Sequence, residues 1–196
     1  ILKDNEYYEA YNNCLSYIGR KMRTKKELIK YLENKDITDN LIIDKVINKL
    51  TEDGYLNNKI YIKSYIHDKL YLSNDGPLKI KNDLKRLEFT EEEIEQELKN
   101  IEYNIWIEKV EKYINKMKTQ NKKYSNYIFN KKLTEDLIQK GYSKNMFNNL
   151  ITNEEENEEL KKKEYDKIYN KLSKKYEGKQ LEYKIKNEMY KKGFII

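Results

Sequence analysis

The chain has 196 residues, of which 38% are charged and only 38% hydrophobic, with a mean hydropathy of −1.05; this is room for one or two domains with a thin core. Leu, Ile, Val and Phe make up about 24% of it, above the roughly 20% below which chains stay disordered, and 19 Tyr add rings with an apolar body and a polar tip. One Pro and six Gly exclude a turn-rich all-β architecture, no apolar run approaches the roughly 20 residues of a membrane helix, and the net charge of +6 is modest.

Ala is scarce while Lys, Asn, Ile and Tyr abound, as AT-rich codons dictate, so an excess of Lys over Arg is not itself a functional signal. The single cysteine, Cys14, excludes an intramolecular disulfide and fits a reducing interior. The chain opens on Ile1 without a signal-peptide pattern, and a start other than Met points to a fragment.

A first helix is expected with Tyr7, Tyr11, Cys14, Leu15 and Ile18 on one face, at the 3.6-residue period. A second begins at Thr24, where Glu27 three residues on completes a capping box. A third starts at Thr38, buries Ile42, Val46 and Leu50, and ends near Gly54. The pattern then repeats. Ile62, Tyr65, Ile66 and Leu70 give a first helix, Pro77 opens a second at the position where its missing N–H is not needed, and Thr90 with Glu93 caps a third that buries Ile94, Leu98 and Ile101. Further first helices carry Trp106, Val110, Tyr113, Ile114 and Met117, and then Tyr165, Ile168, Tyr169, Leu172 and Tyr176.

A local signature ties these segments together: an apolar residue, a second apolar residue five positions later, then Thr or Ser. It occurs at Leu32–Ile37–Thr38, Leu84–Phe89–Thr90 and Leu137–Tyr142–Ser143, and at Met189–Phe194 with Ile195 in the hydroxyl position. Positions 38, 90, 143 and 195 are 52, 53 and 52 residues apart, a spacing that signals an array. The expected fold is all-α, an elongated tandem array of about four three-helix units of roughly 52 residues, with its curvature left open. The units span 1–56, 57–101, 102–153 and a partial 154–196, which stops at "GFII" where a third helix is due. That makes about eleven helices.

The charge gathers where first and second helices meet. Residues 20–30 carry a net +5, residues 79–86 +3, residues 116–132 +6 and residues 171–186 +4, whereas the third helix at 91–101 carries −4. Lysine runs are ordinarily solvated helix faces, and cations before a helix N-terminus oppose its dipole. A feature repeated against local preference points to use, here attraction of phosphate or of acidic protein side chains. The candidate binding residues are Arg20, Lys21, Arg23, Lys25 and Lys26; Lys79, Lys81, Lys85 and Arg86; and Lys118, Lys122, Lys123, Lys131 and Lys132, forming one basic edge with acid elsewhere. The run Lys161–Lys163, flanked by Glu154, Glu155, Glu156, Glu158, Glu159 and Glu164, reads as a solvated face.

No catalytic or metal site is legible. His67 lies beside Asp68 without a Cys or His cluster, Cys14 on an apolar face is a buried thiol, and Trp106 is core rather than a stacking platform. No phosphate-cradling Gly loop or nucleophile–base pattern occurs.

The segments "YIGRKMRTKKELIKYL" (17–32), "LTEDGYLNNKIYIKSYI" (50–66) and "GPLKIKNDLKRLEFTEEEI" (76–94) resemble the RecX family of recombinase regulators. They are similar to its Arg-rich helix start with Ser/Thr-x-x-Glu-Leu, its Gly-Tyr-Leu turn, and its Gly-Pro helix start with a closing capping box. The likeness is specific over 12–101, continues in "LIQKGYS" and "MYKKGFI", and departs at Asn58, where Asp is expected. The resemblance implies a non-catalytic, cofactor-free, cytoplasmic monomer with no membrane association. It would bind the RecA recombinase filament and single- or double-stranded DNA through the basic edge. There it would lie along the filament groove and suppress strand exchange and ATP turnover in recombination, DNA repair and the SOS response. A stand-alone helical DNA-binding protein, or a helical scaffold for another protein, is the alternative.

Overall fold

The computed structural model describes residues 2–152 and 155–196, with side chains from residue 5 onward. The described residues form ten α-helices and one 3-10 turn, without a strand, which agrees with the expected all-α class. They divide into two compact units, 2–101 and 102–196. The boundary expected at 153/154 falls outside the described residues.

The N-terminal unit contains α1 (Leu2–Ile18), α2 (Lys25–Glu33), α3 (Asn40–Glu52), α4 (Asn58–Leu72), α5 (Pro77–Arg86) and α6 (Glu91–Lys99). The starts of α2 to α6 each have a local cause. The Thr24–Glu27 and Thr90–Glu93 capping boxes both close, and Pro77 occupies the first turn of α5. Asn57 caps α4, accepting from the Ile60 N–H at 3.0 Å. The start expected at Thr38 is one residue late: Asp39 is the cap, accepting from the Leu41 N–H at 2.9 Å, because a carboxylate next in line competes well for that position. α3 packs on α1, and α6 on α4. Cys14, Leu28, Leu32, Val46 and Leu50 are buried in the first core; Ile62, Ile66, Ile80, Leu84 and Ile94 in the second helix trio. Leu98 and Ile101 are only half-buried at the end of the nine-residue α6, where Glu97 is buried instead and accepts from Asn100.

The C-terminal unit contains α7 (Tyr103–Gln120), α8 (Asn126–Gln139), the 3-10 turn Lys144–Met146, α9 (Glu158–Leu172) and α10 (Gly178–Lys191). Two expectations fail here. The third helix due after Ser143 is replaced by the 3-10 turn, which packs on α7 and buries Met146 and Phe147. Asn145, Asn148 and Asn149 crowd this stretch, and short amide side chains compete with helical backbone bonding; the Ser143 hydroxyl turns to Asn145 instead of capping. On α9 the expected stripe is rotated. Tyr165 and Tyr169 are 37% and 44% exposed, whereas Glu164 is 2% exposed. The inward row is Leu160, Glu164, Ile168 and Leu172, packed against Ile185, Met189 and Phe194 of the α10 segment. Lys192 pairs with Glu164 from across the unit, and this ion pair sets the helix face that the apolar pattern alone misassigns.

The recurring signature is a helix-ending device. The residue five positions on donates its N–H back to the first apolar residue's carbonyl in all four copies: Ile37 to Leu32, Phe89 to Leu84, Tyr142 to Leu137 and Phe194 to Met189, at 3.0–3.4 Å. The residue between, Asp36, Glu88, Gly141 or Gly193, has φ of 61°, 69°, 84° or 86°. This is the Schellman cap, with both apolar partners buried. Two of the four copies place a residue with a Cβ in the left-handed region, which is unfavourable for L-residues.

The caps set two expected outcomes. Asp36→Gly relieves that strain and raises stability by about 0.5 kcal/mol after the entropy of the added glycine is counted, read as a higher urea midpoint; an unchanged midpoint would show that Asp36 is not strained. At Gly193 an added Cβ meets the Ser125 hydroxyl and Ile128, whereas at Gly54, also left-handed, it meets nothing. Gly54→Ala therefore costs about 1 kcal/mol and Gly193→Ala about 2–4 kcal/mol, since overpacking adds to the backbone term; equal losses would contradict the close approach at Gly193.

Candidate nucleic-acid and partner interface

At the α1–α2 junction the sequence-predicted cations divide into two kinds. Glu27, the one acid of the segment, accepts from the Thr24 N–H at 2.9 Å and pairs with Arg23 at 3.2 Å. The Arg23 side chain is only 14% exposed. Its guanidinium lies 3.8 Å above the Tyr17 ring, which stacks on Tyr31 at 4.2 Å. Arg23 is thus built into the junction as a cation–π layer. Lys26 reaches across to Glu88 at 2.9 Å and to the Arg86 carbonyl at 3.4 Å. Arg20, Lys21 and Lys25 are exposed and meet no carboxylate among the described residues.

At α5 the expected separation of base from acid does not occur, because α6 lays its acidic face over the lysines. Lys81 pairs with Glu91 and with Glu95, the latter at 2.6 Å, and Lys85 with Glu91 at 2.6 Å. Hydrogen bonds from Lys81 and Lys85 hold the Glu91 carboxyl at about 2. Lys79 binds Asp75 at 2.6 Å, and Arg86, well exposed, lies 3.6 Å from Asp83. The acids 91–93 also suit the positive end of the α6 dipole. Asn58, the departure from the family pattern, donates to Glu93 at 2.8 Å; an Asp there would face the capping carboxylate.

At the α7–α8 junction the acids turn elsewhere: Glu156 accepts from the Asn126 N–H at 3.4 Å and Asp136 from the Tyr113 hydroxyl. The loop is held by Asn121, which accepts from the Tyr124 N–H at 3.1 Å and donates to the Tyr124 carbonyl at 2.8 Å. Ser125, fully buried, caps α8 and donates its N–H to the Lys192 carbonyl at 2.9 Å. Lys123 and Lys132 lie 4.8 Å and 4.2 Å from the Tyr124 ring centre. Their ammonium groups draw the Tyr124 hydroxyl below its ordinary pKa. Lys122, Lys123, Lys131 and Lys132 meet no carboxylate among the described residues; Lys118 closes α7 in its last turn. The lysines rim a groove of about 570 Å³ floored by Met117, Phe129 and Leu133, with Asp136 on its wall. Sequence reading registered the lysines but missed Tyr124 and this floor; the interleaving "KKYSN…KK" is the signal that could have revealed them.

The remaining candidates are structural. Trp106 is buried, as expected, and Cys14 is fully buried, which pushes its thiol up to about 11. His67 is exposed against Tyr71, 4.6 Å between ring centres. Among the described residues no group of three or more His, Cys, Asp or Glu could hold a metal ion, and no helix is long and apolar enough to cross a membrane. In the acid-flanked run, Glu164 is buried and Lys161, paired with Glu158 at 3.6 Å, is partly so; Lys162 and Lys163 are exposed. Glu154 is outside the described residues.

Together these elements define an all-helical protein whose N-terminal unit consists of two helix trios, with cations gathered where helices meet. Residues 10–50 match the family model described as RecX, first three-helix domain. Among curated proteins, regulatory protein RecX of Halalkalibacterium halodurans is 30% identical over 202 aligned positions, covering 100% of this chain and 76% of the relative. That of Bacillus cytotoxicus is 33% identical, covering 100% and 74%. The crystal structure of RecX from Lactobacillus salivarius superposes with a TM-score of 0.69 at 26% identity, over 76% of this chain and 96% of that one. Another RecX crystal structure shares the fold with a TM-score of 0.70 at 22% identity. The chain belongs to the RecX family.

One ion-pair cluster yields a prediction about pH. Burial raises the Asp75 carboxyl, but Lys69 at 2.8 Å and Lys79 at 2.6 Å outweigh it and hold it at about 2. A folded pKa below the unfolded value of about 3.9 stabilises above roughly pH 4, and the effect is lost as pH falls toward 2. Asp75→Asn therefore costs about 2 kcal/mol at pH 7, and its deficit against the parent closes below about pH 3 in urea titrations; a deficit constant from pH 7 to 2 would mean that the charge contributes nothing.

Proposed function

We propose that this protein is a non-catalytic regulator that binds the RecA–DNA nucleoprotein filament and restrains strand exchange and ATP turnover, acting as a monomer in the cytoplasm. The observation that carries this is that each unit bears a basic junction, Arg20–Lys21–Lys25 in the first and Lys122–Lys123–Lys131–Lys132 in the second, whose cations are exposed and meet no carboxylate among the described residues. Exposed cations held at helix ends suit a long polyanion, whose phosphates supply sequence-independent, salt-sensitive attraction. Membership of a family whose curated relatives are named regulatory proteins supports regulation over turnover. Duplex or single-stranded DNA and acidic recombinase side chains would meet these same cations.

The test is ATP turnover by the recombinase on single-stranded DNA, titrated with this protein. The parent suppresses turnover. Reversing Lys122, Lys123, Lys131 and Lys132 to Glu weakens suppression and lowers the salt slope of filament binding by roughly 0.7–0.9 for each phosphate no longer neutralised. Stability changes by only about 0.5 kcal/mol or less per exposed site. Reversing Arg20, Lys21 and Lys25 acts likewise, with Arg23 spared because it belongs to the Tyr17 stack. Lys162 and Lys163 are the control pair. If the control weakens suppression as much as the junction variants, the junctions have no special role; if binding depends on none of these cations, they are solvated helix ends.

A further inference from the structure

We propose that the groove between the end of α7 and α8 holds one unstacked base of single-stranded nucleic acid, with Lys122, Lys123 and Lys132 taking the flanking phosphates. The proposal rests on the nucleic-acid part of the function above and specifies it.

Cations alone would suit any polyanion, but this junction is more than cationic. The groove of about 570 Å³ is floored by Met117, Phe129 and Leu133, an apolar surface that phosphate cannot use. A duplex keeps its bases stacked inside and presents mainly phosphate and sugar, so it gains nothing from such a floor. A single strand can turn a base out, bury it against apolar and aromatic side chains, and keep its phosphates in water. Tyr124 supplies the ring, and its place beside Lys123 and Lys132, with centroid distances of 4.8 Å and 4.2 Å, puts a π surface and two cations within a single nucleotide's reach. The loop is braced for this by Asn121, bonded to both backbone groups of Tyr124.

An acidic peptide with an apolar side chain would satisfy the same rim. Asp136 faces the groove, where it accepts from the Tyr113 hydroxyl at 2.5 Å and lies 3.5 Å from Lys140, so the groove admits a neutral group, base or aliphatic side chain alike. The Tyr124 ring favours the base, because stacking uses a flat π face that an aliphatic side chain does not need.

The experiment uses the full chain and fluorescence anisotropy with three probes: oligothymidylate, an abasic oligomer with the same number of phosphates, and a duplex. The parent is expected to bind oligothymidylate more tightly than the abasic oligomer by roughly 5- to 150-fold, the range of one base–aromatic contact. Tyr124→Ala should erase that preference while leaving the salt slope unchanged, and Tyr124→Phe should keep it. Combined Lys122→Gln, Lys123→Gln and Lys132→Gln should instead weaken both oligomers and lower the slope by roughly 2. Circular dichroism checks that helicity is retained. Equal binding of oligothymidylate and abasic oligomer by the parent, or a preference that survives in Tyr124→Ala, would overturn the base site. Displacement of oligothymidylate by an acidic leucine-bearing peptide would do the same by making the groove a protein seat. Suppression of recombinase turnover, measured alongside, separates the two claims: suppression without base preference sinks only the groove, and absence of any suppression sinks the regulatory function.

Discussion

The left-handed cap is the constraint on which the rest of this structure depends. Each of α2, α5, α8 and α10 ends where one carbonyl receives the N–H from five residues on, so the chain folds back and presses a second apolar side chain against the helix it has just left. Unsatisfied carbonyls at the helix end are thereby bonded, and the following segment starts in a fixed direction. In a chain so poor in apolar residues this economy matters. Leu32 with Ile37, or Leu84 with Phe89, supplies core and direction at once, and the basic junction that opens each of α2 and α8 is presented from a defined base.

Charge is distributed less simply than helix ends. The α5 lysines share a sequence pattern with those of the α7–α8 junction, yet α6 covers the first set with Glu91 and Glu95, while the 3-10 turn that stands in place of a third helix brings no acid to the second. Loss of a regular helix after Ser143 and a groove whose rim lysines pair with no carboxylate among the described residues occur in the same part of the chain. Coulombic pairing at short range outweighs net charge in deciding which cations remain available to a partner.

Much of this was legible in the residues. The Thr24–Glu27 and Thr90–Glu93 boxes, Pro77, the all-α class and the burial of Cys14 and Trp106 follow from local rules that need no tertiary information. The departures arise where tertiary partners decide. Tyr165 and Tyr169 satisfy a helical apolar period, but burial of Glu164 beside Lys192 turns α9 away from it. Arg23 looks like any other cation in its run until Tyr17, Tyr31 and Glu27 close around it. The groove at Tyr124 was hidden for a related reason: Met117, Phe129 and Leu133 lie close in sequence, but they form a floor only where the end of α7 and α8 face each other across the loop.

Lys192 ties three elements together. Its side chain pairs with Glu164 on α9, its carbonyl receives the Ser125 N–H at the start of α8, and it follows the last turn of α10. Ser125 immediately follows Tyr124. Fraying of the α10 end would therefore release the α9 carboxylate and the α8 cap in one event, making these groups a single opening unit in hydrogen exchange rather than three independent ones. The order of the loop that carries Tyr124 is in this way set by contacts nearly seventy residues further along the chain.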